Sequence, residues 1–252
     1  YATDDSNMIS SVSVEKLKEG SGIKVNIKTP DKITTITEGQ YTNAAITAGI
    51  TDAVINVASP KVVTGESALV GVYKAIELNG ERVDTERTEV AQEELATLKE
   101  VSQENDGNEN FDKEKLDKVV IEVKQKLQEH KEENGGALAD ANQIRIYIED
   151  ALNNVKMGDI LSNNNIEILV NYFEKYQNTS AIDSQAVKEN LSKLAGQVKE
   201  GASKIYNDNK EQIDQMAEDA KESGLWDQIV EFFQSLLNSI KEVFGSSSDS
   251  QE

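Results

Sequence analysis

The 252-residue chain contains no cysteine. That excludes disulfides, thiolate metal sites and cysteine nucleophiles. Histidine is nearly absent too, with His130 alone. A single histidine cannot build an HExxH or Cys/His zinc site. Lying among Gln128, Glu129 and Lys131, it is expected to face solvent. Positive charge is scarce as well: 26 Lys and Arg stand against 46 Asp and Glu, a net charge of -20. Phosphate backbones demand Lys and Arg, so nucleic acid is not an expected partner. Electrostatic docking on anionic lipid is equally disfavoured. No apolar run approaches the ~20 residues of a spanning helix. No leader is visible, but the chain opens on Tyr1 rather than Met, so an upstream segment is expected to have been removed.

Hydrophobic residues make up 37%, enough for a real core. The charge is uneven. Residues 1–80 carry nine acids and seven bases, whereas residues 81–252 carry 37 acids and 19 bases. The back of the chain is therefore read as the acidic, solvated part.

The stretch from Ile33 to Ile76 has the fullest punctuation. Thr37 and Gln40 stand at a capping-box spacing, and Ile36 with Tyr41 can close a hydrophobic staple. Tyr41, Ala44, Ala45 and Ala48 recur on one helical face. Gly49 is the expected left-handed stop, with Ile50 folding back on Ala45. Ile33 and Ile36 are assigned to a strand before this helix. Ala53, Val54, Ile55 and Val57 form the strand after it, read as buried on both faces. A parallel pair follows. Thr64 is the expected cap of a second helix with Leu69, Val72, Tyr73 and Ile76 inward. Asn79-Gly80 ends it.

Ahead of this unit, Met8 to Leu17 and Ile23 to Ile27 alternate in polarity and read as an antiparallel hairpin. Behind it, the period changes to that of helices. Val90, Leu95, Leu98 and Val101 mark one, ending at a polar hinge over 103–110. Leu116, Val119, Val120, Val123 and Leu127 mark the next, and Asn134-Gly135-Gly136 breaks it. Residues 137–155 favour helix over strand. Ile166, Leu169, Val170 and Phe173 mark another. Asp183 is expected to cap a long heptad-like helix carrying Val187, Leu191, Leu194, Val198, Ile205, Ile213 and Met216.

The fold class expected is α+β. A small mixed sheet with two packed helices (1–80) precedes an all-helical acidic region (81–180). A long helix and an amphipathic helix then form a hairpin (181–245), before a disordered tail (246–252).

Residues 10–25, SSVSVEKLKEGSGIKV, with 41–60, YTNAAITAGITDAVINVASP, and 63–75, VTGESALVGVYKA, resemble one family. It is that of predicted secreted proteins of Gram-positive bacteria called domain of unknown function 1002, the YpuA-like proteins. The resemblance covers about residues 8–180. It implies export and a signal peptide upstream of this segment, which the chain as given lacks. It implies no reaction and no catalytic residues.

Chemistry-bearing patterns are few. Gly65-Glu66-Ser67-Ala68-Leu69 starts like a nucleophile elbow, but Leu69 replaces the second glycine. The same turn lacks the glycine-lysine pair of a phosphate loop. Its simplest reading is a helix start packed on a sheet. Residues 105–112, NDGNENFD, invite calcium through Asp106, Asn108 and Asp112, yet an EF-hand register puts Lys113 where Glu is needed. A solvated hinge is the simpler reading, and no cofactor is expected.

The last helix, 225–244, is the strongest interaction candidate. Leu225, Trp226, Ile229, Phe232, Phe233, Leu236, Ile240 and Phe244 lie on its apolar stripe. It is expected to dock on its own chain, a sister subunit or a protein partner. A membrane surface is disfavoured by its acidic polar face. The leading functional expectation is a noncatalytic exported protein that binds at the cell surface or beyond it. The alternatives are an extracellular or cell-wall hydrolase using carboxylates, and a membrane-active or host-directed factor using 225–244.

Overall fold

The computed structural model describes residues 9–80 and 82–208, with 197–208 as backbone only. Three strands and seven helices lie among them: β1 (Ser11–Lys16), β2 (Ile23–Ile27), α1 (Glu38–Thr47), β3 (Ala53–Ala58), α2 (Ala68–Leu78), α3 (Thr85–Glu104), α4 (Lys113–Glu133), α5 (Ala141–Asn154), α6 (Asn163–Gln177) and α7 (Gln185–Asp208). The class is α+β with a mixed sheet, as the sequence predicts. The chain divides at residue 196, and the description below concerns the unit before that point.

The strand order is β1-β3-β2, not the expected β1-β2 hairpin. β3 pairs antiparallel with β1 and parallel with β2. The apolar strand takes the centre and the Lys- and Glu-bearing strands take the edges, where charge discourages further pairing. Asp52 fixes the crossing beneath β3. Its carbonyl accepts from Leu17 N–H and its carboxylate from Gly22 N–H, both at 2.8 Å.

Only one face of β3 is buried, which corrects the two-faced reading. Ala53, Ile55 and Val57 point into the core. On the opposite face, Ser13, Asn56 and Asn26 stand in register and hydrogen-bond across all three strands. Ile33 contributes one isolated bridge to Val63 rather than a strand.

α1 ends as its punctuation predicts. Thr37 and Gln40 make the capping box. Gly49 has φ 89°, and Ile50 N–H bonds the Ala45 carbonyl at 3.0 Å. The alanine face packs on the sheet, but the opposite face is buried too, so every residue from Gln40 to Thr47 is enclosed. Arg87 of α3 seals the far end, its Nε donating to the Thr47 carbonyl at 2.8 Å.

The expected cap of α2 shifts. Ser67 holds the N-cap position, and the Thr64 hydroxyl instead bonds Glu66. At α7, Ser184 rather than Asp183 caps: Val187 N–H donates to its Oγ at 3.4 Å.

Two apolar cores share α3. Ala91 and Leu95 join the sheet-side core, while Val90, Leu98 and Val101 join a helical core built on α4, α5 and α6. Val187 and Leu191 of α7 close the second core. Residues 209–252, including the 225–244 helix and the tail, lie outside the described residues, as does the second arm of the expected hairpin.

Candidate functional site

Burying α1 on both faces brings its polar residues against α3, α4 and α6. Glu94 and Lys124 meet there at 2.8 Å with no side-chain exposure. Glu94 Oε2 also accepts from Thr47 Oγ1 at 3.1 Å and from Tyr172 OH at 2.7 Å. Lys124 Nζ donates further to Thr47 Oγ1 at 2.8 Å and Asn43 Oδ1 at 3.4 Å, 5.3 Å from the Tyr176 ring centroid. Burial lowers the Lys124 pKa, and Glu94 opposes that shift. Burial raises that of Tyr172, which stays a donor. The cluster has acid, base and phenol in contact, but all are sealed in the core. It ties four helices together and cannot touch a substrate.

Two helical turns back along α4 from Lys124, Asp117 is also buried. Its Oδ2 accepts from Thr37 Oγ1 at 2.6 Å, and that oxygen in turn accepts Gln40 N–H at 3.0 Å. The α1 cap is thus backed by a carboxyl from α4. Burial pushes the Asp117 pKa up to about 7, against the hydrogen bonds of Thr37 and Gln40. Gly39 permits this approach, since a Cβ there would stand 2.5 Å from Asp117 Oδ2. Gly39→Ala is expected to lower stability by about 1–3 kcal/mol, as overpacking does. Gly196→Ala, with nothing within 4 Å, is the control and should be neutral or stabilising. Urea titration separates the two, and equal midpoints would sink the close approach.

The residues singled out from sequence scatter. Gly65 has φ 115° and its carbonyl accepts from Tyr41 OH at 2.5 Å. The anion position of that turn is filled by the chain's own Glu66. Burial disfavours the Glu66 carboxylate, but Lys99 and Thr64 outweigh it and hold its pKa below the ordinary value. Asp112 caps α4, and Asn108 bonds Asn110 N–H in its own turn. Among the described residues, no three His, Asp or Glu side chains gather to hold a metal. His130 is not free in solvent as expected: it is half-buried, with Nδ1 2.9 Å from Tyr147 OH. Leu225, Trp226, Ile229, Phe232, Phe233, Leu236, Ile240 and Phe244 lie outside the described residues.

Two surface grooves stand out among the described residues. The larger, 880 Å³, is lined by Glu86, Glu89, Glu93 and Glu174 beside Lys175, which pairs with Glu93. The smaller, 320 Å³, lies between the end of α4, Gly135-Gly136 and the start of α7. Lys131 pairs there with Asp183 at 2.6 Å, and Lys188 with Glu132 at 2.7 Å. Its inner wall includes Gln128, 3% exposed, whose amide makes no hydrogen bond among the described residues.

The model of the family described as Protein of unknown function (DUF1002) matches residues 1–194. The chain belongs to that family. The DUF1002 match includes both grooves and the buried cluster, and stops within α7. A relative named "Uncharacterized protein YpuA", from Bacillus subtilis (strain 168), is 30% identical over 242 residues, covering 95% of this chain and 72% of that protein. No solved structure matches.

Sequence reasoning missed the polar residues of this DUF1002 chain that matter most: Glu94, Asp117, Lys124 and Gln128. A signal existed. Asp117, Lys124 and Gln128 fall at i, i+7 and i+11, on the stripe that also carries the buried Ile121. Gln40, Asn43 and Thr47 do the same on α1, at i, i+3 and i+7. Polar residues at helical period inside an apolar stripe are answered elsewhere in the fold, or by a ligand.

Proposed function

We propose that this DUF1002 protein is a noncatalytic binding protein that works at the cell surface or outside the cell. One observation carries the noncatalytic part. Among the described residues, the constellation of acid, amine and phenol centred on Glu94 and Lys124 has no side-chain exposure at its ion pair. What faces solvent instead includes two polar grooves. The family resemblance supports export. Among the described residues no helix is long and apolar enough to cross a membrane.

Two measurements test the reading. Immunodetection of the native protein in medium, envelope and cytosol should find it outside the cytosol. Purified full-length chain should co-sediment saturably with envelope material and leave that material chemically unchanged. A cytosolic location overturns export, and release of cleaved fragments overturns the noncatalytic assignment.

A further inference from the structure

Without cysteine, no disulfide can join the elements of this chain. The buried cluster offers a different covalent link. Asn43, Glu94 and Lys124 are all fully buried. Lys124 Nζ stands 2.8 Å from Glu94 Oε2 and 3.4 Å from Asn43 Oδ1. Asn43 Nδ2 donates to the Asp117 carbonyl, again at 3.4 Å. Both contacts of the Asn43 amide are longer than the usual range of about 2.7–3.2 Å. Glu94 Oε1 has no partner among the described residues. The ionic arrangement thus leaves a loosely held amide and a half-satisfied carboxylate where unmet polar groups are costly.

An amine beside a primary amide and an acid is a set for condensation. As an ammonium, Lys124 has no lone pair with which to attack. Burial lowers its pKa, and the acid that can take its proton lies in contact. Moving that proton from Nζ to Oε2 leaves a neutral amine and a neutral acid. It also removes two ions from a core that solvates them poorly. Desolvated lysines serve as nucleophiles for this reason. The sealed core keeps water from competing for the amide. The cluster reaches no outside substrate and needs none, because both reactants belong to the chain and the fold already holds them together.

We propose that Lys124 and Asn43 condense to an isopeptide bond, with Glu94 as the catalytic residue that carries the proton. The neutral Nζ swings from Oδ1 to the adjoining Cγ and attacks it, and the carbonyl electron pair moves to Oδ1. Nζ and Nδ2 then share one tetrahedral carbon. Glu94 gives its proton to the departing Nδ2 and takes the surplus proton from Nζ. The carbonyl re-forms, the Cγ–Nδ2 bond breaks and ammonia leaves. Glu94 ends the step as the neutral acid it was at the attack, and no oxidant or other co-reactant is consumed. The product fastens α1 to α4 across 81 positions of sequence. It forms once per chain and turns over no outside material, so it stands apart from the binding reading above. The ionic pair is the form of the chain before this step.

The test is intact mass spectrometry of the full-length chain, freshly purified and after prolonged incubation. The incubated protein is expected to be one ammonia lighter than its sequence. Tryptic digestion should then give one branched peptide joining the α1 segment at Asn43 to the α4 segment at Lys124. A mass that stays at the sequence value overturns the proposal. So does loss of ammonia with linear peptides only, the result of ring closure at Asn79-Gly80 or Asn134-Gly135. A branch through any other residue overturns it as well. Asn43→Ala leaves the Glu94–Lys124 pair in place and should yield no branched peptide. Glu94→Gln should link about a hundredfold more slowly, the worth of a positioned acid–base group. An unchanged rate in folded Glu94→Gln overturns the role of Glu94. If that variant fails to fold, the parent mass and its branched peptide still decide. Energies of the ionic pair are measured on chain of full mass.

Discussion

Lys124→Met is expected to cost about 3–5 kcal/mol of folding stability, because it strands a carboxylate deep in the core. Glu94 has no exposed side-chain surface, and its Oε1 already lacks a partner. Only Oε2 is satisfied, by Lys124, Thr47 and Tyr172. Removing the ammonium leaves two hydroxyl donors to hold a full negative charge. Glu94→Gln is expected to be nearly as damaging from the other side, stranding Lys124 among Asn43, Thr47 and the Tyr176 ring.

The pair is not for that reason a source of net stability. Withdrawing two ions from water costs several kcal/mol each, and a well-shaped apolar replacement is often neutral. The double variant Glu94→Leu with Lys124→Met should therefore lie much closer to the parent than either single one. The interaction energy, taken from a double-mutant cycle in urea built on these two substitutions, should exceed the loss of either single variant, at about 3 kcal/mol or more. Tyr172→Phe removes one hydrogen bond to the charge and should cost less, about 1.5–3 kcal/mol. Additive single effects, or a Lys124→Met loss below about 1 kcal/mol, would mean the two side chains do not hold each other.

This cluster also shows where sequence reasoning stopped. Local grammar was legible: the Thr37 capping box, the Gly49 stop and the inward residues of α3, α4 and α6 all stand where spacing puts them, whereas the parallel partner of β3 is β2 and not the Ile33–Ile36 segment. Non-local choices were not. Nothing in residues 8–27 says that β1 and β2 will flank β3 instead of pairing. Both are alternating strands joined by a glycine turn, and only the central place of β3 separates them. Apolar-inside patterning also assumes that polar means exposed. Lys124 reads as surface charge on a highly charged helix until Glu94, 30 residues earlier, is placed opposite it. Gln128 reads the same way. Both nonetheless fall on the stripe of the buried Ile121, a spacing that apolar-inside patterning does not weigh.

Asp117 gives the second large expected effect, and its sign follows from burial. The native carboxyl titrates at about 7 against an ordinary value of 3.8. The folded state therefore binds this proton more tightly than the unfolded state does. The associated stability is fully present below the unfolded pKa and is lost as pH rises towards the folded one. Between pH 5 and pH 8 the loss from this group should be about 2–3 kcal/mol. Asp117→Asn keeps an acceptor for Thr37 and removes the titration. Parent and variant should therefore diverge with pH, the parent losing more stability on the way to pH 8. Urea unfolding at several pH values measures this directly, and parallel curves would show that Asp117 stays charged throughout. The two predictions are linked as well. Glu94 raises the Asp117 pKa through space. Glu94→Gln removes that negative charge, so the pH window of Asp117 should move down. A downward move would show that cap and cluster share one electrostatic environment along α4.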